Sequence, residues 1–455
     1  MHCDVGHRRE VAVTYVIDET AARRRFVTVS ALFWLPLGLT TAPLILLFTE
    51  RGMSLAAIAG FIAAHSITVA ILELPTGGLS DVVGRRVVLV AAGVLNLTAL
   101  LLQGLGTTAW ELTLAMALMG AARALSTGPA EAWYVDTVHE HSGRDAELRT
   151  GLARGETAAS AALAVGTLLG GALPWLLAQY PDVVTSLNEA TAGRVLPLSV
   201  PSLLGAVLEI AFIGYVLTAL HETARPPTTM WKALRGIPAT VTGGLRLGGR
   251  DALIRRVLLS AGAAGSALAI VELLTPGRAA DLTGAAASGA VLFAVLACAG
   301  FVTSALGSHL APLLARLARS GERAIVVALG ISAVGLLLLG ATVTSGGAVA
   351  AMAAATGYGL VYLGLGAAGP SENDLLHQRV DSSGRATALS VQSLVLQIIG
   401  ALAGVTAAAL PAGPLPWLLA TVVLVTAALA WARPAGPPQP QAPAATEAVQ
   451  PAQRR

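Results

Sequence analysis

Gly128-Pro129-Ala130-Glu131, followed by Ser142-Gly143-Arg144, returns later as Gly369-Pro370-Ser371-Glu372, followed by Ser383-Gly384-Arg385. Every matched residue lies 241 positions from its twin, and no gap is needed to align them. Each block ends one apolar run and leads into another. Two related halves of equal element count are therefore expected.

The composition says what surrounds those halves. Of 455 residues, 55% are hydrophobic and only 12% charged. A soluble chain of this size would carry roughly a quarter charged residues. The apolar residues also come in blocks, not stripes, so the natural solvent is a bilayer. Twelve runs can be counted, near 26–48, 55–76, 86–105, 109–130, 154–178, 196–220, 256–275, 284–307, 323–344, 347–370, 386–409 and 414–433. Each has roughly the 20 residues a helix needs to cross about 30 Å. The longer polar stretch 221–255 divides them six and six. Repeated, membrane-spanning halves of this kind are a mark of transporter folds.

This predicts an all-α integral membrane protein with twelve transmembrane helices in two six-helix bundles. The expected divisions are a tail 1–25, a first bundle 26–220, a central loop 221–255, a second bundle 256–433 and a disordered tail 434–455. Met230-Trp231-Lys232-Ala233-Leu234-Arg235 in the central loop reads as a short amphipathic helix or as a plain tether. The first apolar run is too long for the core of a secretory signal. Arginines cluster at 8–9, 23–25, 85–86, 144–154, 225–256, 316–323, 379–385 and 433–455. The opposite loops hold only Arg51, Arg194 and Arg278. The positive-inside rule then places both termini in the cytoplasm.

Several function classes drop out. The arginines are scattered between spans, so the net charge of +3 does not describe a nucleic-acid surface. Cys3 and Cys298 lie far apart in sequence and imply no disulfide framework. Lys232 is the one lysine and follows Trp231, so no Walker loop exists. There is no H-E-x-x-H, and His139-Glu140-His141 reads as a solvated loop. No cofactor and no metal are expected. Uphill movement of a solute must draw on an ion gradient or a partner subunit.

The sharpest motif is Gly77-Gly78-Leu79-Ser80-Asp81-Val82-Val83-Gly84-Arg85-Arg86, read as a short loop between the second and third spans. It fits G-x-x-x-D-x-x-G-R-R. The glycines permit a tight turn, Asp81 is an acceptor for an arginine or a helix N-terminus, and Arg85 and Arg86 anchor the inner face. Here the chain resembles the major facilitator superfamily, over residues about 20–435. Glu73-Leu74-Pro75-Thr76 is similar to a bacterial, drug-export-like branch, and Arg123 resembles the superfamily's buried arginine. The match has departures. Gly128 follows Arg123 by five residues, not four. Gly166, Gly170, Gly171 and Pro174 echo the antiporter motif with the proline displaced. Only Gly321-Glu322-Arg323 remains of the loop motif in the second half.

The resemblance implies two bundles rocking about a central cavity lined by the first, fourth, seventh and tenth spans. It implies a cytoplasmic gate at Gly77, Asp81, Gly84, Arg85 and Arg86. The repeated pairs Glu131/Arg144 and Glu372/Arg385 are read either as further gate contacts or as weak surface pairs.

Ionisable residues within spans are costly and mark pathways or partners. Arg123 and Glu272 come first as proton-coupling candidates, with Glu209 and Glu156 behind them. Glu209 is also readable as a structural pair, and Glu272, before Thr275-Pro276, as a solvated helix end. Trp34, Thr40, Thr41, His65, Tyr358 and Tyr362 are cavity candidates; His65 can equally be a satisfied core histidine. Aromatics with few fixed charges suit an amphipathic organic molecule. The reading is a secondary transporter by alternating access, exporting drug-like molecules against protons, in a bacterial inner membrane. A monomer is compatible with it. A proton-coupled importer and a non-transporting scaffold or sensor are the alternatives.

Overall fold

A computed structural model describes residues 19–126, 128–143, 145–221, 251–379 and 382–432, with 74–78, 81 and 382–387 described as backbone only. The first half comprises α1 (Glu19–Thr41), α2 (Leu44–Glu50), α3 (Leu55–Val83), α4 (Arg85–Leu105), α5 (Ala109–Ser126), α6 (Pro129–Ser142), α7 (Arg149–Ala178), α8 (Pro181–Ala190) and α9 (Val200–Ala219). The second comprises α10 (Ala252–Thr283), α11 (Ala286–Ala318), α12 (Gly321–Ala341), α13 (Gly347–Arg379), α14 (Ser382–Ala409) and α15 (Leu415–Ala432). No strand occurs among the described residues. In hydrocarbon every backbone polar group must be satisfied within its own segment, which is why apolar runs of this length become helices.

Among the described residues, ten helices are long and apolar enough to cross a membrane. α1 and α2 meet at a 42° bend and together make an eleventh. Pro43 sits at that bend as the N-cap of α2. The remaining crossing is α5, whose apolar character is diluted by Glu111 in its first turn and Arg123 in its last. Caps set the helix starts: Ser54 accepts from the Ala57 amide at 3.2 Å and Ser320 from the Arg323 amide at 3.1 Å.

Several elements differ from the sequence expectation. Residues 77–83 are not loop: α3 stays helical to Val83 and breaks only at Gly84, whose φ of 103° suits glycine. α1 begins at Glu19, so Arg23–Arg25 are helical. His139–His141 is helical too, in α6, with His141 Nδ1 2.8 Å from the Thr137 carbonyl. The twin blocks also diverge. Gly128 has φ 94° and separates α5 from α6, with Pro129 opening the new helix. Gly369-Pro370 lies inside the unbroken α13. The preceding residues supply a reason. Ser126-Thr127 are weaker helix formers than Ala367-Ala368, and Ser126 Oγ bonds back to the Arg123 carbonyl at 2.9 Å. The 230–235 segment and both tails lie outside the described residues.

Each half packs about its own core, and the halves meet along two seams, α3 with α14 and α7 with α11. At the end opposite the arginine clusters, apolar groups bridge the halves. Phe48, Ile58, Phe61, Leu112 and Met116 close on Leu273, and Leu46, Leu47 and Leu198 close on Ala290. At the arginine-bearing end three ion pairs each lie within one half: Arg85 with Asp136 at 2.5 Å, Arg256 with Glu322 at 3.4 Å and Arg379 with Asp251 at 2.9 Å. The two halves are thus sealed together at the end away from the arginines.

Candidate functional site

Beneath the apolar seal, charged and aromatic side chains from both halves converge. Glu272 neighbours Leu273 of the seal, but it is not a helix end: α10 runs through Pro276 to Thr283. The Glu272 side chain is exposed within the length of α10. Arg123 reaches it electrostatically from α5 in the other half, and the same arginine acts on the His65 ring of α3. Arg123 lies about 21 Å from the sealed end of α5 and Glu272 about 16 Å from that end of α10, at 1.5 Å per residue. They therefore sit at similar depth.

Tyr358 and Tyr362 on α13 complete this wall. Their rings stack with centroids 4.9 Å apart, and their hydroxyls are 3.4 Å apart. Both feel the Glu272 charge. Tyr358 is buried, edge-on to Phe293, while Tyr362 is half-buried. Five sequence-selected residues on four helices, His65, Arg123, Glu272, Tyr358 and Tyr362, thus occupy one neighbourhood. His65 Nδ1 has no hydrogen-bond partner there.

The other candidates fall elsewhere. Glu209 on α9 is fully buried and accepts from Asn96 Nδ2 at 2.8 Å, inside the first half. Glu156 and Glu131 are both exposed and line a first-half cavity of about 250 Å³ with Ser30 and Trp34. Thr40 and Thr41 bond back to the Leu37 carbonyl at 2.9 and 3.0 Å. Arg85 also donates to the Ala132 carbonyl, and Arg86 to the Leu217 carbonyl. The motif's arginines therefore tie α4 to α6 and α9. The Asp81 and Arg385 side chains and Arg144 lie outside the described residues. Glu372 is buried and lines a second-half cavity.

Two features escaped the sequence reading. Glu73 of α3 accepts from Ser393 Oγ of α14 at 2.8 Å, a polar tie across a seam. At the sealed end Arg51 donates to the Gln103 and Gly104 carbonyls at 2.5 and 2.6 Å and to Ser199 Oγ at 3.1 Å. Arg278 does the same for Thr342 and Ser345. The first arginine closes the end of α4 and the second the end of α12, so the internal repeat is written in the staples as well. The signal available was the rarity of arginine in the loops at that end.

The profile of the Major Facilitator Superfamily matches residues 26–405. The chain belongs to the major facilitator superfamily. Solved structures show the same twelve-helix fold. The nucleoside transporter NupG is similar with a TM-score of 0.69 and 12% identity, over 90% of this chain and 98% of that one. A D-xylose–proton symporter gives 0.64 and 16%, over 90% and 97%. A bacterial homologue of the human lysosomal transporter Spinster, inward-facing and occupied, gives 0.63 and 15%, over 90% and 96%. No curated protein matches significantly in sequence. The chain is a multi-pass membrane transporter of this superfamily.

Proposed function

We propose that this superfamily member is a proton-coupled exporter of amphipathic small molecules. It would act by alternating access in a bacterial inner membrane, with the arginine-bearing end and both termini in the cytoplasm. The observation that carries the coupling is the cross-half neighbourhood of Arg123 and Glu272 beneath the apolar seal. Ionised Glu272 attracts Arg123 across the cavity and favours the arrangement in which they are near. A proton on Glu272 removes that attraction, so proton occupancy biases the rocking equilibrium. The stacked tyrosines, Trp34 and the scarcity of fixed charge support an aromatic or apolar solute with some polarity.

The test needs a solute first. A growth-sensitivity screen of an overexpressing strain against many toxic compounds supplies it. Proteoliposomes with an imposed pH difference then read direction and coupling. Glu272→Gln should abolish uphill transport and spare downhill exchange. A full gradient built by that variant removes Glu272 from the coupling role. The second reading is an importer carrying a metabolite with protons, favoured by the D-xylose–proton symporter of the same fold; the sign of the flux separates the two.

A further inference from the structure

The second copy of the repeated Gly-Pro-x-Glu block carries Glu372. This carboxyl is 7% exposed, within α13, and lines a cavity of about 290 Å³ in the second half. Among apolar neighbours, Ser260, Ser304, Tyr362, Gln392 and Glu372 contribute polar groups to the cavity lining. At about 30 Å³ per water it has room for several. Tyr362 and Glu372 are ten residues apart on one helix, about 15 Å. Leu365 and Gly369 lie between them on the same face, and all four line the cavity. The space thus runs from the tyrosine pair beside Glu272 to Glu372.

Ser260 on α10 lines the same cavity as Glu372. Its Oγ is fixed by Trp431 on α15, whose Nε1–H donates to it at 2.7 Å. The charged and titratable groups toward the Glu372 end of the packed elements are Arg255 and Arg256 on α10, Glu322 and Arg323 on α12, His309 and Arg316 on α11, and Asp374, His377 and Arg379 further along α13 itself. α15 brings none, and the Arg385 side chain of α14 is outside the described residues. Arg256 is turned to Glu322 at 3.4 Å and over the Trp431 ring at 5.9 Å. Among the described residues no cation pairs with the carboxyl, and the Ser260 hydroxyl shares its cavity. The motif does not impose this burial, since its twin Glu131 is exposed.

We propose that Glu372 is a second proton-binding site, filled from the water of this cavity and separate from Glu272. The proton passes from a hydronium to a carboxylate oxygen and leaves a water behind. While Glu372 is ionised, Ser260 donates to it, and its oxygen is then the stronger acceptor for Trp431. Protonation removes that polarisation, so Trp431 reports the site optically. The role in coupling rests on the proton-coupled reading above; the site itself is read without any solute, so the two can fail separately.

The experiment is a pH titration of tryptophan emission on the full chain in lipid nanodiscs. The chain has seven tryptophans, and Trp431→Phe identifies the component of interest. A pH-dependent component is expected in the unmodified protein, absent in Trp431→Phe and Glu372→Gln, and retained in Glu272→Gln. Ser260→Ala leaves the carboxyl in place. It should silence the Trp431 component while the infrared band of the protonated carboxyl still titrates. A component that survives Glu372→Gln or Ser260→Ala, or no titrating Trp431 component at all, overturns the proposal.

Discussion

Gly171 on α7 packs directly against α11 of the other half at the sealed end, and Gly171→Val should drive the halves apart. A Cβ at this position would stand 2.6 Å from the Ala290 carbonyl oxygen and 2.6 Å from Ala294 Cβ. Ordinary contact needs about 3.5 Å or more, so α7 or α11 must give by about 1 Å. Both obstacles belong to a helix, not to a flexible side-chain tip. Overpacking of this sort costs about 1–3 kcal/mol. That penalty applies only while the seam is closed at this end, so it shifts the equilibrium between states by about 5–150-fold. Spin labels at Thr107 in one half and Thr344 in the other, in a background lacking Cys3 and Cys298, read the separation. The long-distance population should rise at least about fivefold. Gly60→Val is the control, since a Cβ there meets nothing within 4 Å. An unchanged distance distribution in folded, abundant Gly171→Val protein would refute a seam that opens at this end.

Other substitutions test the static parts. Arg51→Ala removes charge-assisted hydrogen bonds to two carbonyls and a serine, and should destabilise by about 1.5–3 kcal/mol in thermal unfolding. Arg278→Ala should add to it independently, the sites being in separate halves. Glu209→Gln keeps the shape beside Asn96 and should leave uphill transport intact; its loss would transfer the coupling role to Glu209. Asp251 caps α10 and binds Arg379. Burial pushes its carboxyl up, but the Arg379 hydrogen bond and the Leu253 and Ile254 amides outweigh this and hold it below the usual range. A folded-state value below the unfolded one gives stability that is present above about pH 4 and lost as pH falls further. Thermal melts should therefore show an acid step that Asp251→Asn lacks.

The apolar blocks and the 241-residue repeat made the helical architecture legible, because a bilayer leaves the backbone so few options. The same rule explains the misreading of 77–83. Pro75, Gly77 and Gly78 are turn signals in water, but a chain leaving the membrane keeps its hydrogen bonds by staying helical until Gly84. Arg123 and Glu272 were readable because charge within an apolar run is conspicuous. Their similar depth was not, since it depends on where α10 ends, and Pro276 looked like that end. The pairing of Glu73 with Ser393 and the Ser260–Trp431 bond join residues far apart in sequence, and no local pattern predicts them.

The asymmetry between the halves matters more than their likeness. A solute or a proton can shift a two-state equilibrium only by binding the states unequally. Two chemically identical halves would present the same charge to the cavity, and their fields would repel or cancel. Here the first half offers Arg123 and the second offers Glu272, so the interaction is attractive and varies with their separation. The twin blocks diverge in the same sense. A broken helix leaves Glu131 exposed beside Glu156, and an unbroken one holds Glu372 buried against Ser260. Repetition supplies two bundles; the substitutions between repeats supply the unlike charges on which the proposed proton coupling would act.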